Sequence, residues 1–405
     1  MGRNAFSRQI QLGLDSNMHS NRVTTTRSRL AHKALNLVAK VTYRKAPMGA
    51  STSGRNEGVA SILVLELWNM GDVILAMPFL VQLRRLFPGA RITLVSRPFG
   101  EKLLAGTGLV DEFIPAGLDW TPAEHISLSR KTIDLWRLSR KLRRKKFDVA
   151  FSSRFHVWEH LLLAVSRAGR RVGFALGGED TALTDAITVG ESQQHKVEDW
   201  MRLLEPFGGA VTVQVPRLYL DESERFWASG YLTSRGVAKE DLLVGIHPGA
   251  GLVEKRWPLE RFGEVAAATA ARPGVRVLVF AEPSGYGSDL FTIPGVVQAQ
   301  VGLRELMALI ERCGLLVCND SGPMHIAGAL GVPTVAMFGS GIEQWFAPLG
   351  EGHEILRPDQ DEPQSNVPVR GQRVRQPGQI KSSQVLEAVG RTVQRLRVGG
   401  TFSRA

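Results

Sequence analysis

The sequence predicts an α/β protein built from two doubly wound domains in series, and three observations predict it. Apolar, strand-like runs alternate with helical patterns in two separate series, the first opening near Ser61 and the second near Leu242, and such alternation makes a parallel sheet with helices on both faces. The best-formed strands, Ile62-Leu63-Val64-Leu65-Glu66-Leu67 and Leu315-Leu316-Val317-Cys318, run through short polar turns directly into helices. Ligands of open α/β sheets sit at turns of this kind. A chain of 405 residues also exceeds what one core usually organises, so two domains of ordinary size are expected.

Residues 1–58 are rich in Arg, Ser, Thr and Asn, and only Arg29 to Val41 has helical spacing, with Leu30, Leu35, Leu37, Val38 and Val41 apolar. The segment reads as a basic, mostly disordered extension carrying one short amphipathic helix, or as a leader with no role. It has no apolar core followed by a small-residue cleavage site, so no secretory signal is expected.

Residues 59–238 read as the first domain. Its strands are the run from Ile62, then Arg91 to Ser96, Glu112 to Pro115 and Asp148 to Phe151, with helices from Asp72 to Phe87 and from about Ser129 to Lys145. Two further helices, His195 to Phe207 and Glu222 to about Ser234, lead to the hand-over. Residues 239–380 read as the second domain, with strands Leu242 to His247, Val275 to Phe280, Leu315 to Cys318 and Thr334 to Phe338. Within it, Asp359 to Gln379 is polar and rich in Pro, Gln and Arg, hence a loop. Residues 381–405 form a terminal amphipathic helix, Ser382 to Arg397, and a tail.

The two cysteines, Cys313 and Cys318, argue against a disulfide framework or a cysteine-built metal site. No apolar run reaches the roughly 20 residues that span a bilayer; the longest stretch, Ala60 to Leu83, is broken by Glu66 and Asp72. A cytoplasmic protein is expected. The formal charge of +11 implies a polyanionic partner, whether nucleic acid, an anionic membrane face or a phosphorylated glycolipid, without choosing among them. Much of that charge lies between Arg130 and Lys146, beside Trp136 and Leu138, and reads either as a solvated helix face or as a binding patch.

Three turns carry the chemistry. After the first strand, Trp68-Asn69-Met70-Gly71-Asp72-Val73 uses Gly71 for a tight turn and sets Asp72 at a helix start, where a carboxylate caps the helix or takes a proton. After the strand at Leu242 comes His247-Pro248-Gly249-Ala250-Gly251, then Lys255-Arg256-Trp257-Pro258. The glycines admit a ligand to the backbone, and the two cations suit a phosphate; neither GxxxxGK[ST] nor GxGxxG is present. The third turn is Asn319-Asp320-Ser321-Gly322-Pro323-Met324-His325. It offers backbone N–H groups and the positive end of a helix dipole to an anion, with Asp320 as an acceptor for hydroxyls. Asp320 and Ser321 also suit plain capping, and His325 also suits a buried structural histidine.

These segments, with Leu65-Glu66-Leu67 before the first and Gly331-Val332-Pro333-Thr334 after the last, resemble the bacterial ADP-heptose:lipopolysaccharide heptosyltransferases, glycosyltransferase family nine, in order and spacing from about Ser61 to Arg397. The resemblance implies a GT-B fold of two Rossmann-like domains facing a central cleft. It implies inverting transfer, without metal or cofactor, from a nucleotide-diphosphate sugar such as ADP-heptose to a lipid-linked glycan. Asp72 would be the general base. Lys255, Gly249, Ala250, Asp320, Ser321, Gly322 and His325 would hold the donor. Glu66 stands where the family often has lysine, and no acidic group is evident after Phe280 at the family's ribose-contacting position. On this reading nucleic acid is not a partner, and the basic regions suit peripheral attachment to the inner face of the cytoplasmic membrane. A sugar-nucleotide hydrolase or epimerase of the same fold, and a non-catalytic module for anionic glycans, are the competing readings.

Overall fold

The computed structural model describes residues 58–117, 128–154, 157–175, 182–188, 194–339, 341–358 and 376–398. The expected basic extension and most of the loop from Asp359 lie outside the described residues. The chain divides after Gln214 into two compact units.

The first unit runs β1 (Ser61–Glu66), α1 (Met70–Leu75), α2 (Met77–Leu86), β2 (Arg91–Ser96), α3 (Phe99–Leu104), β3 (Glu112–Pro115), α4 (Leu128–Arg144), β4 (Val149–Ser152), α5 (Val157–Ser166), β5 (Arg170–Ala175), β6 (Asp185–Thr188) and α6 (Lys196–Arg202). Its strands form one parallel sheet in the order β3-β2-β1-β4-β5-β6. Five of the six residues of β1 are buried, as befits a central strand covered on both faces. Leu63, Leu65, Val95 and Ala150 pack there against Leu138 and Leu142 of α4 and Leu162 of α5.

The second unit runs α7 (Glu222–Thr233), β7 (Leu242–His247), α8 (Leu259–Ala270), β8 (Val275–Phe280), β9 (Val296–Ala299), α9 (Leu303–Arg312), β10 (Leu315–Asn319), α10 (Gly322–Ala329), β11 (Thr334–Met337), α11 (Glu343–Phe346), β12 (Glu354–Leu356) and α12 (Ser382–Val398). Its parallel sheet has the order β12-β11-β10-β7-β8-β9. Trp257, Phe262 and Val265 pack with Val244, Ile246 and Val317 in its core. Both cysteines are buried free thiols.

Three expectations change. The helix from Asp72 to Phe87 is two helices meeting at Ala76, with Pro78 in the first turn of α2. Proline has no N–H and its ring clashes with the carbonyl four residues back, which kinks or breaks a helix; here the break falls at Ala76. The unit boundary falls after Gln214 rather than at 238, because α7 is ion-paired to α9 through Glu224–Arg304 at 2.5 Å and Arg225–Glu311 at 2.8 Å. Nor is the terminal helix separate: Val385, Ala388, Val389 and Val393 of α12 belong to the core of the second unit. Among the described residues, no helix is long and apolar enough to cross a membrane.

Candidate active site

In each sheet the chain works outward from the first strand on one side, then returns to start again on its other side. The loops leaving the two central strands therefore diverge, and a crevice opens at their carboxyl ends. In the second unit those strands are β7 and β10, paired in parallel with His247 opposite Cys318. In the first they are β1 and β4, with Leu65 opposite Ser152. All three motif turns start at one of these two places.

In the second unit Asn319, fully buried, ends β10 and ties both loops together. Its side-chain amide N–H donates to the Pro248 carbonyl at 2.7 Å, and its Oδ1 accepts the Trp257 backbone N–H at 2.9 Å. Trp257 is anchored in turn by its indole N–H to the Ile380 carbonyl, 2.9 Å away. This bracing sets Lys255, which ends a short 3-10 turn at Val253–Lys255. Its Nζ lies 2.6 Å from Oδ2 of Asp320, a carboxylate with only 5% of its side chain exposed against 26% for the lysine. A Cβ at Gly341 would overlap that carboxylate.

Ser321 precedes α10 in extended conformation, and no side chain caps the helix. The Ser321 hydroxyl turns back to the Asn319 carbonyl at 3.3 Å instead. Capping is thus not what these residues do, and the helix start keeps its dipolar, N–H-rich character for a ligand. Gly322 opens the helix, and His325, buried, lies in its first turn.

Gly249 and Ala250 are buried beside β7. Gly249 has ordinary backbone torsions; glycine is needed there because a Cβ would overlap the Glu282 carboxylate. Glu282 follows β8 and pairs with Arg256 at 3.2 Å. Arg256 also donates from Nε to the Ala250 carbonyl at 3.0 Å and stacks 4.2 Å from the Tyr286 ring centre. The stretch after Phe280 is therefore not without an acid. Burial holds the His247 imidazole neutral, its pKa lowered to about 4.

In the first unit Asp72 sits in the first turn of α1, mostly buried. Its Oδ2 accepts the Asn69 backbone N–H at 3.0 Å, and its Oδ1 is ion-paired with Arg154. The carboxylate thus closes the helix end and meets a guanidinium at once. Gly71 proves to lie inside α1 rather than in a turn before it. Arg154, just past β4, stacks 4.7 Å from the Trp68 ring centre, a favourable cation–π contact. Two more acids close the group. Glu66 ends β1 and accepts the Trp68 backbone N–H at 3.1 Å. Glu159 of α5 accepts the Trp68 indole N–H at 2.7 Å and the Ser152 hydroxyl. Burial raises the pKa of both glutamates. It lowers that of Arg154, but Asp72, Glu66 and Glu159 outweigh it, so the guanidinium stays charged.

The structure thus gathers Gly249, Ala250, Lys255, Asp320, Ser321, Gly322 and His325 onto the loops and helix at the β7/β10 ends, and puts Asp72 at the β1/β4 ends. Sequence reasoning passed over Arg154, Glu159, Glu282 and the bracing role of Asn319. A usable signal existed: each lies at the carboxyl end of a strand, in the loop that follows it or, for Glu159, in the first turn of the next helix, where the doubly wound pattern places ligand contacts. Among the described residues, no group of three His, Cys, Asp or Glu side chains could hold a metal ion.

Residues 135–370, more than half of the chain, match the glycosyltransferase family 9 (heptosyltransferase) sequence model. Lipopolysaccharide heptosyltransferase 2 of Escherichia coli strain K12 is 25% identical over 315 residues, which cover 73% of this chain and 87% of that one. The solved glycosyl transferase family 9 structure from Veillonella parvula DSM 2008 superposes with a TM-score of 0.69 at 23% identity, over 85% of this chain and all of that one. The E. coli ADP-heptose lps heptosyltransferase II structure gives 0.63 at 20% identity, over 83% of this chain and 99% of that one. The likeness to these two structures shows the fold, two Rossmann-like sheets of the GT-B class.

His247 predicts an acid-labile unit. The unfolded imidazole takes a proton near its ordinary 6.5, the buried one only at about 4, so between those values the unfolded state binds more protons and stability rises with pH. Relative to His247→Gln, the wild type should lose about 3 kcal/mol as pH falls through that window, and little more below it. Urea unfolding at a series of pH values reads this; a pH-independent difference between the two proteins would contradict it.

Proposed function

Because the chain belongs to glycosyltransferase family 9, we propose that it moves heptose from ADP-heptose to the core of a lipopolysaccharide or related glycolipid, with inversion and without a metal ion. Its relatives, lipopolysaccharide heptosyltransferases, support heptose as the transferred sugar and a lipopolysaccharide acceptor, and the ADP-heptose lps heptosyltransferase II of the same fold supports the donor. The observation that carries the reading is the division of chemistry between two strand-end sites: a cation and an uncapped helix start in the second unit, and a carboxylate in the first.

In the reaction, Asp72 takes the proton of an acceptor hydroxyl as its oxygen bonds to the anomeric carbon. The bond from that carbon to the diphosphate breaks, and ADP leaves carrying the electron pair. Asp72 then returns its proton to solvent. An aspartate is a weak base, with a reference pKa of about 4, so most of the barrier reduction comes from stabilising the departing charge and from positioning. Lys255, held by Asp320, and the α10 start at Ser321 and Gly322 supply that stabilisation, with His325 beside them. Gly249 and Ala250 let the nucleotide approach the backbone, and Glu282 accepts hydrogen bonds from the ribose hydroxyls.

We also propose that the enzyme works at the anionic cytoplasmic leaflet. Trp136 is 59% exposed on α4, and with Arg137, Arg140, Lys141, Arg144 and Lys145 it lines an open recess of about 510 Å³. An apolar ring among cations suits a membrane surface, where each Lys or Arg contributes about 1 kcal/mol and is screened by salt.

Asp72→Asn should lower turnover by about two to four orders of magnitude while ADP-heptose affinity stays nearly constant; normal turnover would remove Asp72 from the chemistry. In the same assay the wild-type rate should persist in EDTA. Abolition by chelator, with recovery in magnesium or manganese, would transfer leaving-group stabilisation to a metal.

For the membrane, the wild type should sediment with anionic liposomes at low salt and release at high salt. An Arg137→Gln/Arg140→Gln/Lys141→Gln variant should bind about 100-fold more weakly. Equal recovery on neutral and anionic liposomes would leave α4 as a solvated face.

A further inference from the structure

The carboxyl end of β1 holds more acid than base. Glu66, Asp72 and Glu159 all act on the single guanidinium of Arg154. Asp72 and Glu159 have a partner on each oxygen: the Asn69 N–H and Arg154 for the first, the Trp68 indole N–H and the Ser152 hydroxyl for the second. Glu66 differs. Its Oε1 accepts the Trp68 backbone N–H at 3.1 Å, but its Oε2 is buried with no hydrogen-bond partner, and the residue is 1% exposed.

A carboxylate oxygen cut off from both water and donors is costly, whereas a neutral carboxylic acid in the same place costs far less. Burial, and then the charge of Asp72, push the Glu66 proton affinity well above the usual carboxylate range, with Arg154 pulling the other way. Glu66 is therefore the member of the group that carries a proton while Arg154 pairs with Asp72.

We propose that Glu66 is a positioning residue: protonated, it leaves Arg154 wholly to Asp72, and ionised, it shares Arg154 and frees Asp72 to act on the acceptor. The inference rests on the reading of Asp72 as the base. Its chemistry is two separate proton transfers. Glu66 gives its proton to solvent, and later Asp72 takes the proton of the acceptor hydroxyl; no other bond changes through Glu66.

The titratable and charged groups around Glu66 come from every element packed at this corner. Asp72 comes from α1, Arg154 from the segment after β4, and Glu159 from α5. His160 of α5 acts on Glu159, and Asp199 of α6 acts on Arg154. Asp199 has its own partner in Lys196 at 2.6 Å. Glu159 is also raised by burial, so Glu66 has to be isolated by substitution.

The test has two arms. In the first, kcat is followed from acid to alkaline pH. Wild type should show a rise of about 3- to 10-fold as Glu66 ionises. Glu66→Gln, neutral at every pH and of the same shape, should lack that rise while its KM for ADP-heptose is unchanged; a merely structural role would scale the whole profile and leave its form alone.

The second arm does not need activity. The Glu66 side-chain carboxyl, assigned in ¹³C spectra with Glu66→Gln or Glu66→Asp, should lose its proton about one pH unit lower in Asp72→Asn than in wild type. The like charge has gone there, and Arg154 is available. A Glu66→Gln profile parallel to wild type, or a Glu66 signal that Asp72→Asn does not move, would overturn the inference. Full turnover in Asp72→Asn would instead sink the base assignment, and the carboxyl titration would still report on the coupling by itself.

Discussion

A parallel sheet that is extended first to one side of its opening strand and then to the other must send two neighbouring loops in opposite directions, and the space between them is the one place in such a sheet where a ligand meets several strand ends at once. Both units of this chain are built on that constraint, at β1/β4 and at β7/β10. What the sequence adds is the bracing that keeps the space usable. In the second unit the bracing is a single buried amide. Asn319 satisfies a donor from the Trp257 segment and an acceptor from the Pro248 segment. Truncating it would leave both buried and unpaired, at about 1–3 kcal/mol each. Lys255, Asp320 and the α10 start keep their relation because that side chain joins their loops.

The first unit solves a different problem. It places a carboxylate at a helix start, where it is stabilised, yet the proposed chemistry needs that carboxylate to accept a proton. Arg154 is ion-paired with Asp72, Trp68 covers the guanidinium, and two further acids compete for it. The arrangement sets three acids around one guanidinium, so not every acid has a cation to itself. Glu66, with a buried oxygen lacking a partner, is the one that carries a proton. A core apolar residue at the end of β1 would pack as well; a glutamate there makes the charge state of the site adjustable.

Much of this was legible in the sequence because the information is local. The runs Ile62 to Leu67 and Leu315 to Cys318 are apolar, β-branched in part and bounded by turn residues, so their strands stood out. The donor-site residues fall in two short segments, each following a strand. The short strands Val296–Ala299 and Glu354–Leu356 did not stand out; the second is only half-buried along its length, so its sequence carries little apolar contrast. The helix break at Ala76 was signalled by Pro78 but outweighed by apolar spacing on either side. The partners of Asp72 were hidden for a different reason: Arg154 is 82 residues away in the chain, and only the adjacency of β1 and β4 joins them. Glu282, after β8, reaches Gly249 in the same way, through the pairing of β7 with β8.

The account depends most on the second unit holding the diphosphate with protein-borne charge, and calorimetric titration with ADP reads that directly. ADP should bind the wild type in EDTA, bind Asp72→Asn equally well, and bind Lys255→Met about 10- to 100-fold more weakly, as loss of one charge-assisted contact requires. Equal affinity of the wild type and Lys255→Met, or binding that appears only with added divalent metal, would contradict it.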